Sequence, residues 1–114
     1  MTSRGLALAR QIETIKTKLA SIGELRPGIL SEQHNVCGKP ACRCKARPPQ
    51  RHGPYYQLGW TRNGKSTTRF VRRSELVTVR RQLKNYARLK SLLEQWVDLS
   101  IKLCEIKRQE AKRR

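Results

Sequence analysis

Leu8, Ile12, Ile15, Leu19 and Ile22 recur at steps of four, three, four and three in an otherwise polar stretch. That spacing puts side chains on one stripe of an α-helix. The pattern predicts a helix from about Ser3 to Ile22, stopped by Gly23 and followed by an Arg26-Pro27-Gly28 turn, since glycine ends helices readily and proline cannot continue one. Further along, Tyr55 to Thr61 and Ser66 to Val71 are rich in aromatic and β-branched residues and flank Arg62-Asn63-Gly64-Lys65. Asn-Gly tolerates positive φ at both central positions and so favours a type I′ hairpin. With that pair at the turn centre, Trp60 faces Thr67, Leu58 faces Arg69 and Tyr56 faces Val71. One ribbon face then holds Tyr56, Leu58, Trp60 and Val71 and reads as core; the other presents Tyr55, Gln57, Phe70 and Arg72.

Ser74, followed by Glu75 and a periodic apolar run, reads as the N-cap of a helix reaching almost to the C-terminus. Leu76, Val79, Leu83 and Tyr86 form one heptad-like series, and Leu89, Leu92, Trp96, Leu99, Leu103 and Ile106 form another. The step from Tyr86 to Leu89 is three where four is due, so the seam slips phase; the helix there is either overwound or exchanges one partner for another. The N-terminal stripe is its natural partner within the chain. The long helix has more stripe than the short one can cover, so the remainder is expected to bind a second copy or another protein. No internal repeat appears, and the final Lys-Arg-Gln-Glu-Ala-Lys-Arg-Arg is expected to fray.

Size and charge add the next constraint. A chain of 114 residues has little interior in which to bury apolar surface, so it must be extended, stapled or assembled with partners. Its formal charge is +18, more than solubility requires, and a polyanionic partner is the natural counterweight. From Gln33 to Ser74 there is no acid, while Lys39, Arg43, Lys45, Arg47, Arg51, Arg62, Lys65, Arg69, Arg72 and Arg73 supply positive charge. A solvated basic surface is the plain reading of such a run. The one-sided excess and the neighbouring rings favour a contact in which arginines neutralise phosphates while a ribbon or exposed ring approaches bases. Tyr56 and Trp60 read as core, Tyr55 and Phe70 are open to either role, and Trp96 reads as a helix-seam residue. The N-terminal stretch has no apolar run long enough for a signal peptide or membrane span, so the expectation is a cytoplasmic, reducing setting without a membrane partner.

The cysteines agree with a reducing compartment. Cys37, Cys42, Cys44 and His52 form C-x4-C-x-C-x7-H, three thiolates and an imidazole close together, with Cys104 far away. Closed structural zinc sites take four such ligands in a tetrahedron. Gly38 and Pro40 allow a tight turn in the first ligand loop, and His34 is a rival fourth ligand. Free thiols in a basic loop are the alternative, but a loop so rich in charge and proline has nothing apolar to fold around without a metal. Redox chemistry is a further rival, because Lys39, Arg43 and Lys45 would favour thiolates, yet no C-x-x-C is present. Cys104 is expected to pack as a small hydrophobe beside Leu103. The expected architecture is α+β, with the N-terminal helix and long C-terminal helix packed antiparallel and a zinc-binding cysteine loop and β-hairpin between them. Within one domain the segments are 1–25, 26–73 and 74–114.

The blocks RPGILSEQHNVCGKPACRC, HGPYYQL and NGKSTTRFV, with the long helix carrying Tyr86, resemble a family of small basic bacterial and archaeal proteins known mainly as a domain of unknown function. The resemblance spans roughly Arg26 to Leu93. Members carry a similar C-G-K-x-x-C-x-C followed by H-G-P-Y-Y and are often encoded near mobile elements. It implies that Cys37, Cys42, Cys44 and His52 are a shared site, and implies no activity.

Together these features predict a non-enzymatic, zinc-stapled protein that binds DNA or RNA as an accessory or regulator of a mobile element, its helices dimerising or docking a protein. The alternative is a structural subunit of a larger ribonucleoprotein or transposase complex. Neither a two-carboxylate metal site nor a general base is apparent in the cysteine and hairpin region, where no acid falls, so an enzyme is the weakest reading.

Overall fold

A computed structural model describes residues 2–35 and 52–113. In chain order these form helix α1 (Ser3–Ala20), strand β1 (Ile29–Asn35), strand β2 (His52–Arg62), strand β3 (Lys65–Val71), a 3-10 turn (Arg73–Glu75) and helix α2 (Leu76–Lys112). The protein is α+β, with an antiparallel sheet in the order β1-β2-β3. By backbone proximity the chain forms two compact units, Arg26–Leu83 and Met1–Leu25 with Lys84–Arg114.

The unit Arg26–Leu83 holds the sheet. Asn63 and Gly64 have φ of 53° and 75°, as a type I′ turn requires, and this locks Tyr56 opposite Val71, Leu58 opposite Arg69 and Trp60 opposite Thr67. The hairpin register is therefore the one its turn residues predict. The sequence reading contained only these two strands, and β1 corrects it. Ile29 pairs with Gly59, Leu30 with Leu58 and Glu32 with Tyr56, with an irregularity between Gln33 and Asn35. Ile-Leu-Ser-Glu-Gln-His-Asn has one β-branched residue and no Phe, Tyr or Trp. Its strand character comes from pairing with a distant segment rather than from local propensity. Gly28 makes the entry to β1: its φ is +136°, and a Cβ there would stand 2.9 Å from both the Gly59 carbonyl oxygen and Leu58 Cδ1.

One sheet face is closed by the first two turns of α2. Leu58, Val71, Leu76 and Val79 form the buried cluster, with Leu30, Tyr56, Trp60 and Leu83 packed against it. Entry into α2 differs from the expected Ser74 cap. Ser74 lies inside the 3-10 turn; the Arg72 N–H donates to Glu75 Oε2 at 3.3 Å, and the Glu75 N–H donates to the Arg72 carbonyl at 2.8 Å. The longer carboxylate reaches back to the orphan donor, as in the reciprocal arm of a capping box.

The other unit is helical. Thr2 caps α1, its Oγ1 accepting from the Gly5 N–H at 3.1 Å, and its own N–H donates to Glu110 Oε1 at 2.8 Å. Asn85 Nδ2 donates to the Glu24 carbonyl at 2.7 Å, and Lys16 Nζ lies 5.4 Å from the Trp96 ring centre. Contacts joining the start of α1 to the end of α2, and the segment after α1 to residue 85, set the two helices antiparallel. Leu8, Ile12, Ile15, Leu92 and Ile106 are buried. α1 ends at Ala20, just short of the expected Ile22, because the Ser21 hydroxyl and N–H both donate to the Lys18 carbonyl and tighten the last turn. α2 passes from the sheet unit into this one between Leu83 and Lys84, one turn before the phase slip after Tyr86. Leu76, Val79 and Leu83 serve the sheet, while Leu92 and Ile106 serve the helical core. Among the described residues no helix is long and apolar enough to cross a membrane.

Candidate functional site

Strand alternation divides the sheet into two unlike faces. Toward α2 point Leu30, Tyr56, Leu58, Trp60 and Val71, and this face also carries Glu32, Arg62, Lys65 and Arg69 by register. The opposite face presents Ile29, Ser31 and Gln33 from β1, Tyr55, Gln57, Gly59 and Thr61 from β2, and Ser66, Thr68 and Phe70 from β3. None of these is charged. Phe70 is 75% exposed, Ile29 78% and Tyr55 41%, so the rings that the sequence left open to either role are exposed. Gln57 stands between them, opposite Phe70 and two residues from Tyr55, and its carbonyl accepts from the Ser31 hydroxyl at 3.4 Å. At the turn end Thr61 and Ser66 hydroxyls pair at 2.9 Å.

The basic side chains have a distinct geometry. Arg69 lies across the sheet from Phe70, its guanidinium 5.9 Å from the Trp60 ring centre, and Arg26 approaches the same ring at 5.1 Å. Two cations thus share one indole. Arg62 and Lys65 pair across the strands beside the turn, and Arg72 and Arg73 are exposed where the chain leaves β3. Arg26 was absent from the sequence-derived set, as were Ser31 and Gln33. Nothing local marks them, because each acquires its place through β1 or the turn before it.

Of the proposed ligands, Cys37, Cys42 and Cys44 lie outside the described residues, as do Lys39, Arg43, Lys45, Arg47 and Arg51. His52 begins β2, where its backbone pairs with Asn35. His34, the rival ligand, has Nε2 at 3.4 Å from Glu32 Oε1. Among the described residues no group of three or more His, Cys, Asp and Glu side chains could hold a metal. Cys104 corrects its expectation: it is exposed. It lies with Leu93, Trp96, Val97, Ser100 and Ile101 along an apolar strip of α2. The expected seam consumes only one side of the helix, and the heptad count does not register the second.

No curated protein and no solved structure matches the chain. A family model does match, over residues 6–81. It takes in most of α1, all three strands and the start of α2, reaching well upstream of Arg26, where the sequence resemblance began. On that match the chain belongs to the family described as Domain of unknown function (DUF6788).

Proposed function

We propose that this protein is a non-enzymatic nucleic-acid-binding accessory or regulator of a mobile element. In this reading one zinc staples the segment between β1 and β2 through Cys37, Cys42, Cys44 and His52, and Lys39, Arg43, Lys45, Arg47, Arg51, Arg62, Lys65, Arg69, Arg72 and Arg73 meet phosphates. The observation that carries it is the charge distribution: residues Arg26–Leu83 hold thirteen basic and two acidic side chains, beside a sheet with exposed rings. A polyanion is the ligand such a field selects. Metal-replete protein should retain one zinc per chain and Cys42→Ser should lose it, as elemental analysis would read; zinc kept by the variant, or none in the parent, sinks the staple. Affinity for nucleic acid should fall steeply with salt, with a log–log slope of about 0.9 per phosphate contact on a duplex. Neutralising Arg69 and Arg72 together should flatten that slope more than neutralising Lys112 and Arg113. Equal flattening by the two pairs means generic polycation binding.

A second reading is favoured by the exposed strip of α2, where Val97 is 53% and Ile101 58% exposed. There the chain is a structural subunit of a larger ribonucleoprotein or transposase complex, docked to protein through that strip. Tight binding of naked duplex DNA by a monomer supports the first reading. Insolubility without a partner, relieved by Val97→Glu, supports the second.

A further inference from the structure

The geometry points to an unpaired strand of nucleic acid as the ligand of the sheet face opposite α2, with Phe70 and Tyr55 stacking on its bases. This rests on the nucleic-acid reading above and narrows it to single strands.

Two properties of the face select the ligand. It belongs to a chain of net charge +18, yet among the described residues the side chains that Ile29–Gln33, Tyr55–Thr61 and Ser66–Phe70 direct there are aliphatic, aromatic, hydroxyl or amide, apart from Gly59; Arg72, extended just beyond β3, follows Phe70 in the alternation and stands at the edge of the face. A duplex offers a protein its phosphates and groove edges and keeps the flat faces of its bases stacked inward, so an uncharged aromatic surface gains little from it. A single strand exposes those flat faces while still answering the surrounding positive field, and stacking on rings is tolerant of base identity. The placement fits. Phe70 stands opposite Gln57 and Tyr55 two residues along β2, a diagonal of about 7 to 8 Å between backbones, within the span of neighbouring bases on one strand. Gln57, Gln33 and Ser31 line the same face and can donate to or accept from base edges. Arg62, Lys65 and Arg69 lie on the other side by register. Ring contacts and charge contacts are therefore separable by mutation, which generic polycation binding would not allow.

The test uses the full chain and fluorescence anisotropy with four probes of equal length: oligodeoxyuridylate, oligouridylate, an abasic strand and a duplex. The expected order places the two base-bearing single strands above the abasic strand and the duplex, and their comparison tells whether the sugar matters. Phe70→Ala and Tyr55→Ala should each weaken the base-bearing strands by roughly 5- to 150-fold, while leaving abasic affinity and the salt slope unchanged. Phe70→Trp should restore binding, and Phe70→Leu should not. Equal affinity for abasic and base-bearing strands, a preference for duplex insensitive to both rings, or full binding by Phe70→Leu overturns the inference while sparing the nucleic-acid reading. Absence of salt-sensitive binding to all four probes overturns both.

Discussion

The sheet unit and the helical unit carry the same basic load, thirteen Lys and Arg each, but two acids in the first against six in the second. Their cores differ as much as their charge. In the sheet unit a helix lies across a three-stranded surface, so buried side chains converge on a centre: Leu58 is 0% exposed and is the one fully buried side chain among the described residues. In the helical unit the burial is a line, with Leu8, Ile12, Ile15, Leu92 and Ile106 strung along two helices and none reaching that depth. A sheet covered on one face can leave the other free for a ligand, because its strands are held by mutual hydrogen bonds and by the covered side. The two helices leave a mostly charged surface uncovered, with an apolar strip of Leu93, Val97 and Ile101 within it. The proposed recognition chemistry rests on the first unit and the proposed protein contact on the second.

The largest effect should come from breaking the centre. Leu58→Ala removes a side chain walled in by Val71, Leu76 and Val79, and should cost about 2 to 5 kcal/mol in urea unfolding. Leu92→Ala deletes a side chain from the line, where solvent or a shifted helix can fill the space, so its cost should fall at or below the lower end of that range. A costlier Leu92→Ala would mean that the helical unit, not the sheet, holds the tighter core.

A backbone test comes next. Gly28→Ala sets a Cβ 2.9 Å from the Gly59 carbonyl oxygen at a φ of +136°, combining a clash between backbones with an unfavourable conformation, and should cost about 1 to 3 kcal/mol. Gly64→Ala at the hairpin tip has φ +75° and nothing within 4 Å, so only the left-handed backbone penalty of about 1 to 2 kcal/mol applies. Equal losses at the two positions would show that the close approach of β1's entry to β2 is not a constraint.

Legibility in the sequence followed the range of the interaction. The hairpin was readable because Asn63-Gly64 fixes the register locally, and register alone sorts Tyr56, Leu58 and Trp60 from Tyr55, Gln57 and Phe70. The helices were readable because a period of 3.6 survives in polar surroundings, and the slip after Tyr86 lies one turn past the point where α2 leaves the sheet unit. β1 was not readable: Leu30 and Glu32 alternate with Ser31 and Gln33 too weakly to announce a strand, and the pairing with Gly59 and Leu58 that makes it one is remote. The uncharged character of the open face was hidden for the same reason, since a third of it comes from β1. The exposure of Cys104 was missed because a heptad count identifies the seam of a helix without saying how wide the apolar arc beside it is.

The smallest effects concern how each unit starts its helix. α1 begins in the helical unit with a side-chain cap, Thr2 Oγ1 accepting from the Gly5 N–H at 3.1 Å. α2 begins in the sheet unit with Glu75 reaching back to the Arg72 N–H at 3.3 Å, and Ser74 supplies no such bond. Thr2→Ala should therefore cost about 1 kcal/mol; the contact to Glu110 is made by the backbone N–H of Thr2 and survives the substitution. Glu75→Ala gives up one exposed hydrogen bond near a helix start and should cost about 0.5 to 1 kcal/mol. Ser74→Ala should stay within about 0.5 kcal/mol of the parent, although Ser-Glu before an apolar run is the pattern that names serine as the cap. Thermal unfolding of the three variants against the parent reads the order directly. A loss at Ser74 equal to that at Glu75 would restore the serine as the cap, two residues beyond Arg72, where the hydrogen bonds place it.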